Sequence, residues 1–259
     1  MAKQRLDIMV QERGLVESRS LAQKMIMAGE VRVNGNMVIK PSQQFPEDVE
    51  ITLDKGPQFV SRGGEKLLGA LEAFGLTELN SAVCADVGAS TGGFTDCLLQ
   101  HGASKVYAID VGYGILHWKL RNDPRVISME KTNAREVKSL PERIELVTVD
   151  ASFISLKILL PVIAPWFGEQ PGRLVTLIKP QFEAGKEEAA KGAGVIRDPA
   201  VHRSVLENTL RAADEMHYEL EGLIQSPLLG PKGNKEFLAS FRYPGASVDW
   251  MSFVNRVMK

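Results

Sequence analysis

The stretch Ala85-Asp86-Val87-Gly88-Ala89-Ser90-Thr91-Gly92-Gly93-Phe94 decides the fold. An apolar run at 83–87 enters it and helical spacing over 93–100 leaves it, so a strand turns through a glycine-rich corner into a helix. In a doubly wound α/β sheet, the corner after the first strand is where nucleotides bind. No Gly-Lys-Ser/Thr closes the stretch, which excludes a P-loop. Gly88-Ala89-Ser90 breaks the G-x-G of a dinucleotide fingerprint, and the Asp86 carboxylate would repel a pyrophosphate, which argues against a nicotinamide-dependent oxidoreductase. A carboxylate there suits a ligand with a positive end. S-adenosylmethionine, with an ammonium, a sulfonium and no phosphate, is the cofactor these residues predict, held by Asp86, Gly88, Ala89, Ser90, Thr91, Gly92, Gly93 and Phe94.

Outward from this corner the rhythm is alternating strand and helix. Helix is predicted at 65–74, 93–100 and 154–167, and strand at 83–87, 106–110, 126–129, 144–149 and 174–178. Asp198-Pro199 opens a long helix to about 216, followed by strands at 218–225 and 236–243 and a short helix after Ser247. That alternation predicts a doubly wound, Rossmann-like, mostly parallel sheet. Asp110 lies 22 residues past Gly88, where an acidic residue takes ribose hydroxyls. Val111 and the glycines after it leave room for a flat adenine, and Asn133 is placed to face its edge. The Gly-, Ala- and charge-rich segment 183–197 reads as a mobile loop. His117 and Trp118 read as packing residues and His101 as a helix C-terminal residue.

Residues 1–56 read differently. Two short runs of helical spacing, with Ser18 or Ser20 as cap and Gly29 as stop, precede Val31-Arg32-Val33-Asn34-Gly35-Asn36-Met37-Val38-Ile39, a hairpin pattern around Asn-Gly. This is a small α+β domain, joined by a linker at 57–62 to a domain of residues 63–259. Its first 40 residues carry an excess of three positive charges, and 41–56 an excess of three negative ones, within a chain of net charge -1.

With 44% hydrophobic and 24% charged residues the composition is that of a globular protein. The longest apolar run, 158–167, is interrupted by Pro161 and Pro165 and is too short to span a membrane. The first residues carry spread charge and no signal-peptide core, and Cys84 and Cys97 suffice for neither a disulfide framework nor a multi-cysteine zinc site, so a cytoplasmic protein without a bound metal is expected.

Four polar residues stand at the ends of elements, where charge is costly unless used: Lys66, Asp150, Lys179 and Glu236. Asp150 and Lys179 end strands on the edge that carries the glycine corner. For a ribose hydroxyl attacking a methyl carbon, Lys179 is the expected base. Lys66 would favour its neutral form and hold the oxygen, Asp150 would orient Lys179 and itself sit near the sulfonium as a cofactor-binding residue, and Glu236 would hold the lysines.

The motifs RLDIMVQERGLVESRSLAQKMIMAGEVRVNG (5–35), VSRGGEKL (60–67), ADVGASTGGFTDCLL (85–99), VDASFISL (149–156), LIKPQFEAG (177–185) and SPLLGPKGNKEFL (226–238) together resemble the TlyA family over nearly the whole chain. The resemblance implies a small ribosomal-protein-type RNA-binding domain fused to an FtsJ-like methyltransferase domain. Lys66, Asp150, Lys179 and Glu236 then fall on a Lys-Asp-Lys-Glu tetrad, and the expected activity is 2'-O-methylation of cytidine in ribosomal RNA, with ribosomal RNA or ribosomal subunits as partner. It also implies that 57–62 is a hinge coupled to cofactor binding. Arg5, Arg19, Lys24, Arg32 and Arg62 are the expected RNA contacts, and the protein is taken as a monomer. The family carries the label hemolysin as well, so an RNA-binding or membrane-lytic protein with an inactive methyltransferase domain is the alternative expectation.

Overall fold

The computed structural model describes residues 3–54 and 56–259. Lys55 lies outside the described residues. The chain divides after Gln58 into two compact units.

In the first unit, strand β1 (Lys3–Arg5) leads into helices α1 (Leu6–Glu12) and α2 (Arg19–Met27), then into strands β2 (Val31–Val33), β3 (Asn36–Met37), β4 (Gln44–Pro46) and β5 (Ile51–Leu53). Ser18 is the cap of α2, accepting from the Leu21 N–H at 3.2 Å. Asn34 and Gly35 both have positive φ, 49° and 78°, the requirement of the tight turn that joins β2 to β3. One sheet has the order β3-β2-β5, and β1 pairs with β4. Leu6, Met9, Val10, Ala22, Ile26, Val31, Val33, Val38 and Ile51 form its buried core.

The second unit begins with Phe59, so the expected linker of 57–62 is shorter. Phe59 is buried, its ring lying where a Gly64 Cβ would come within 2.2 Å, and Arg62 already opens helix α3 (Arg62–Ala73). Burial of an aromatic ring outweighs leaving it in a linker. There follow β6 (Val83–Val87), α4 (Gly93–Gln100), β7 (Lys105–Ile109), α5 (Trp118–Arg121), β8 (Val126–Met129), β9 (Leu146–Val149), α6 (Leu156–Ile163) and β10 (Gly172–Ile178). The chain then forms α7 (Pro180–Glu183), α8 (Lys186–Lys191), α9 (Pro199–Glu215), β11 (Glu219–Gln225), β12 (Phe237–Tyr243) and α10 (Trp250–Val257). Helix α6 is shorter than expected because the chain tightens into a 3-10 turn at Ala164–Phe167, where Pro165 cannot donate to the α-helical ladder. Helix α8 occupies the segment expected to be a mobile loop; glycines 185 and 192 bracket a run of good helix formers.

The seven strands have the order β11-β12-β10-β9-β6-β7-β8; β12 alone is reversed, pairing antiparallel with both β10 and β11, and the other pairings are parallel. Alternation along the strands sends Ala85 and Val87 to a core shared with α6, α9 and α10, and Cys84 to a core shared with α3 and α4. Strand order reverses between β6 and β9. The crevice outside their carboxyl ends is the natural binding place of such a sheet.

Candidate active site

Six elements deliver residues to that edge. Gly88 follows β6, Asp110 follows β7, Asp150 follows β9 and Lys179 follows β10. Glu236 precedes β12, and because β12 is antiparallel its start lies at the same edge, Phe237 opposite Ile178. Lys66 comes from the second turn of α3.

Two cavities open there. The first, about 310 Å³, is lined by Gly88, Ser90, Asp110, Val111, Asn133 and Asp150 among the expected residues, with apolar walls from Ile109, Ile115 and Leu159. The second, about 250 Å³, is lined by Lys66, Asp150, Lys179 and Glu236, by Ala89, Thr91, Gly93 and Phe94, and by Arg62. They share Gly88, Ser90 and Asp150. Gly88 has φ +84°, and a Cβ there would meet the Asp150 carbonyl at 2.7 Å, so only glycine lets the turn and the Asp150 loop close up. Asp110 accepts the Ser90 N–H at 2.8 Å and the Gly112 N–H at 2.7 Å, which fixes its carboxylate at the wall of the first cavity. Asn133 accepts the Arg135 N–H at 3.2 Å and caps the turn on the same wall.

In the second cavity the charges are matched in pairs. Lys179 Nζ lies 2.6 Å from Asp150 Oδ1 and donates to Ser152 Oγ at 3.1 Å. Lys66 Nζ donates to Glu236 Oε2 at 2.6 Å, and Glu236 Oε1 accepts from Gln181 Nε2 at 2.9 Å. Lys66, Lys179 and Glu236 are buried. Buried ions of this kind persist only when paired and hydrogen-bonded.

Six expected cofactor residues lie outside the first cavity: Ala89, Thr91, Gly93 and Phe94 line only the second, and Asp86 and Gly92 line neither. Asp86 is fully buried: its carboxylate accepts from Thr95 Oγ1 at 2.7 Å and Thr148 Oγ1 at 3.1 Å and reaches neither cavity. Burial pushes this carboxyl up to about 7, against the opposing effect of the two hydroxyls. Strand parity is the reason, since Asp86 shares the face of Cys84, under α4. Gly92 also lines neither cavity; a Cβ on it would meet Leu120 at 2.2 Å. Trp118, expected to pack, is 71% exposed, because α5 buries Leu120 instead, and His117 caps α5.

Sequence reasoning passed over Ser61, Gly63, Ser152, Phe153 and Gln181. All lie inside the motifs around Lys66, Asp150 and Lys179, and their closeness to those residues was the available signal.

In the first unit, Arg5 and Arg19 both grip the fully buried Asp7, at 2.9 and 3.0 Å, and Gln23 adds a third donor at 2.7 Å. The Arg5 guanidinium, then Gln23 and Arg19, hold the Asp7 carboxyl well below the usual carboxylate range despite its burial. Arg32 is tied to Asp54 at 2.6 Å, and Lys24 is exposed. Asp7 was passed over as well; an acidic residue among apolar helix positions and flanked by arginines was its signal.

A sheet of this order, a glycine corner after its first strand and a lysine–carboxylate cavity beside a nucleoside-sized one define a Rossmann-like methyltransferase. A family model described as FtsJ-like methyltransferase matches residues 59–243, and an S4 domain model matches residues 4–51. The chain belongs to the TlyA family of FtsJ-like methyltransferases. It is 44% identical over 243 residues to the 16S/23S rRNA (cytidine-2'-O)-methyltransferase TlyA of Mycobacterium tuberculosis, covering 92% of this chain and 89% of that one. It is 43% identical over 240 residues to Hemolysin A of Brachyspira hyodysenteriae, covering 92% and 99%. A solved hemolysin-named structure from Streptococcus thermophilus superposes with TM-score 0.73 at 40% identity, over 100% of this chain and 95% of that one. Among the described residues no helix is long and apolar enough to cross a membrane.

Proposed function

We propose that this protein transfers the methyl group of S-adenosylmethionine to a ribose 2'-hydroxyl of ribosomal RNA, at a cytidine. The observation that carries this reading is the meeting of the two cavities at Gly88, Ser90 and Asp150, with both lysine–carboxylate pairs on the acceptor side. The first cavity fits the adenosyl part of the cofactor: apolar walls for a flat ring, the Asp110 carboxylate for ribose hydroxyls, and a glycine cradle a Cβ would fill. Asp150, facing both cavities, is the counter-charge for a sulfonium. When bound, the cofactor supplies an electrophilic methyl group.

The protein's own residues supply alignment and a proton path. Lys179, oriented by Asp150 and Ser152, is placed to accept the hydroxyl proton as the new carbon–oxygen bond develops. Lys66, held by Glu236, steadies the reacting oxygen. Most of the acceleration comes from holding hydroxyl and methyl in line in a confined space. Arg62, exposed at the rim of the second cavity, meets phosphate, and Lys24 with the outer faces of Arg5, Arg19 and Arg32 gives the N-terminal unit its RNA contacts. The cytidine comes from the name of the Mycobacterium tuberculosis relative.

The test is transfer of a labelled methyl group to ribosomal subunits and to free ribosomal RNA by wild type and Lys179→Ala, with nucleoside mass spectrometry of the product. A 2'-O-methylcytidine made by wild type and not by the variant is expected. Cofactor binding without transfer to any RNA would overturn the reading and favour a binding or lytic role.

A further inference from the structure

Beyond the two cavities of the methyl-transfer reaction lies a third, about 660 Å³, that the reaction itself does not use. Its walls include Phe153, Gln181, Phe182, Gly194, Pro231 and Lys232. It borders the acceptor cavity at Pro231, common to both, and the Phe182 ring centroid is 5.7 Å from Lys179 Nζ. Phe153 and Phe182 are in contact, their ring centroids 4.8 Å apart and their planes tilted by 51°. A ribose held at Lys179 has its base one glycosidic bond away, and an apolar, aromatic space beside the lysine suits a planar heterocycle.

Gln181 is the polar feature of that space with an unmet demand. The residue is nine-tenths buried, and its Oε1 is covered and has no hydrogen-bond partner among the described residues. Its orientation is fixed, because Nε2 donates to Glu236 Oε1 at 2.9 Å and a carboxylate accepts only. Turning the amide over would set oxygen against oxygen. Gln181 therefore presents an acceptor, and a buried acceptor left unpaired is unfavourable.

We propose that Gln181 selects the target base, its Oε1 accepting from the exocyclic amine of a cytosine seated in the third cavity. The inference rests on the methyl-transfer reading above. Cytosine carries an N4 amine where uracil carries the O4 acceptor, so the pinned oxygen rewards one pyrimidine and repels the other. A site built to hydrogen-bond a group discriminates strongly against the analogue that lacks it. Because Oε1 is covered in this structure, the pairing requires a wall side chain to turn as the base enters.

The test uses the full chain and ribosomal RNA whose methylated nucleotide has been mapped, prepared with cytidine, uridine or the 2-pyrimidinone riboside, which lacks the 4-amine, at that position. Wild type is expected to prefer cytidine by about 10–100-fold in kcat/KM over both analogues. In Gln181→Met the common rate also falls, because Glu236 loses its support; the readout is the cytidine-to-uridine ratio, which collapses to within about threefold. A ratio left at its wild-type value, with all three RNAs slowed alike, would make Gln181 a support for Glu236 and overturn the proposal. So would wild type methylating the 2-pyrimidinone RNA as fast as the cytidine RNA, a result that needs no variant to fold. Methylation of none of the RNAs would overturn the functional reading, and this inference with it.

Discussion

At Lys179 the site's logic reduces to one nitrogen. It touches Asp150 at 2.6 Å and Ser152 at 3.1 Å and lines the second cavity but not the first. Lys179→Ala should therefore lower the methyl-transfer rate by about 10²–10⁴-fold, while titration calorimetry finds cofactor binding retained. Loss of both together would mean that the lysine supports the cofactor site rather than the proton transfer. Asp86 makes a separate claim about stability. Its carboxyl titrates at about 7 in the folded chain and near 3.9 when unfolded, so the folded state binds the proton more tightly. The stability this proton contributes is complete below about pH 4 and is lost as pH rises through about 7. Asp86→Asn, which cannot ionise, should melt higher than wild type at pH 8 and lose that advantage toward pH 5. Parallel melting curves from pH 5 to 9 would show that burial does not hold the proton there.

Among the elements, α3 and α4 meet at their first turns with almost no space between backbones. A Cβ on Gly93 would lie 2.3 Å from Ser61 Oγ, 2.8 Å from the Gly64 nitrogen and 3.0 Å from the Gly63 Cα. One of these helices carries Lys66 and the other follows the glycine corner, so their approach sets the second cavity against that corner. Gly93→Ala should cost about 1–3 kcal/mol of stability and weaken both cofactor affinity and turnover. Gly63→Ala, whose Cβ would meet its nearest neighbour at 3.4 Å, should be far milder. Equal effects in thermal melts would refute the close-approach argument. How far the sequence was legible also divides by element. The strand into the glycine corner, the Asn34-Gly35 turn and the Asp198-Pro199 start of α9 are local signals, and each element formed there. Asp86 was misread through parity: Val87 is the last strand residue, so the carboxylate one place earlier faces α4. Lys66 and Glu236 stand 170 residues apart, and their pairing depends on an antiparallel β12 returning to the carboxyl edge, a non-local fact that no spacing encodes.

On the scale of the whole molecule, the division after Gln58 separates the RNA contacts proposed for the N-terminal unit from the chemistry, so the two should fail independently. Asp7 is the hinge of that argument. Its carboxylate is fully buried and organises Arg5, Arg19 and Gln23, so it shapes the basic face without belonging to it. Lys24, by contrast, is exposed and available to phosphate directly. Lys24→Glu should leave the melting temperature and cofactor affinity near wild type, weaken ribosomal RNA binding, and reduce the slope of log affinity against log salt by about 1. Asp7→Asn should destabilise the N-terminal unit by about 2–3 kcal/mol through its lost charge-assisted hydrogen bonds, and weaken RNA binding because the arginines lose their anchor. Cofactor titration should remain unchanged in both. An unaltered salt slope in Lys24→Glu, with Asp7→Asn binding RNA normally once folded, would move the RNA contact away from this face and onto the rim around Arg62.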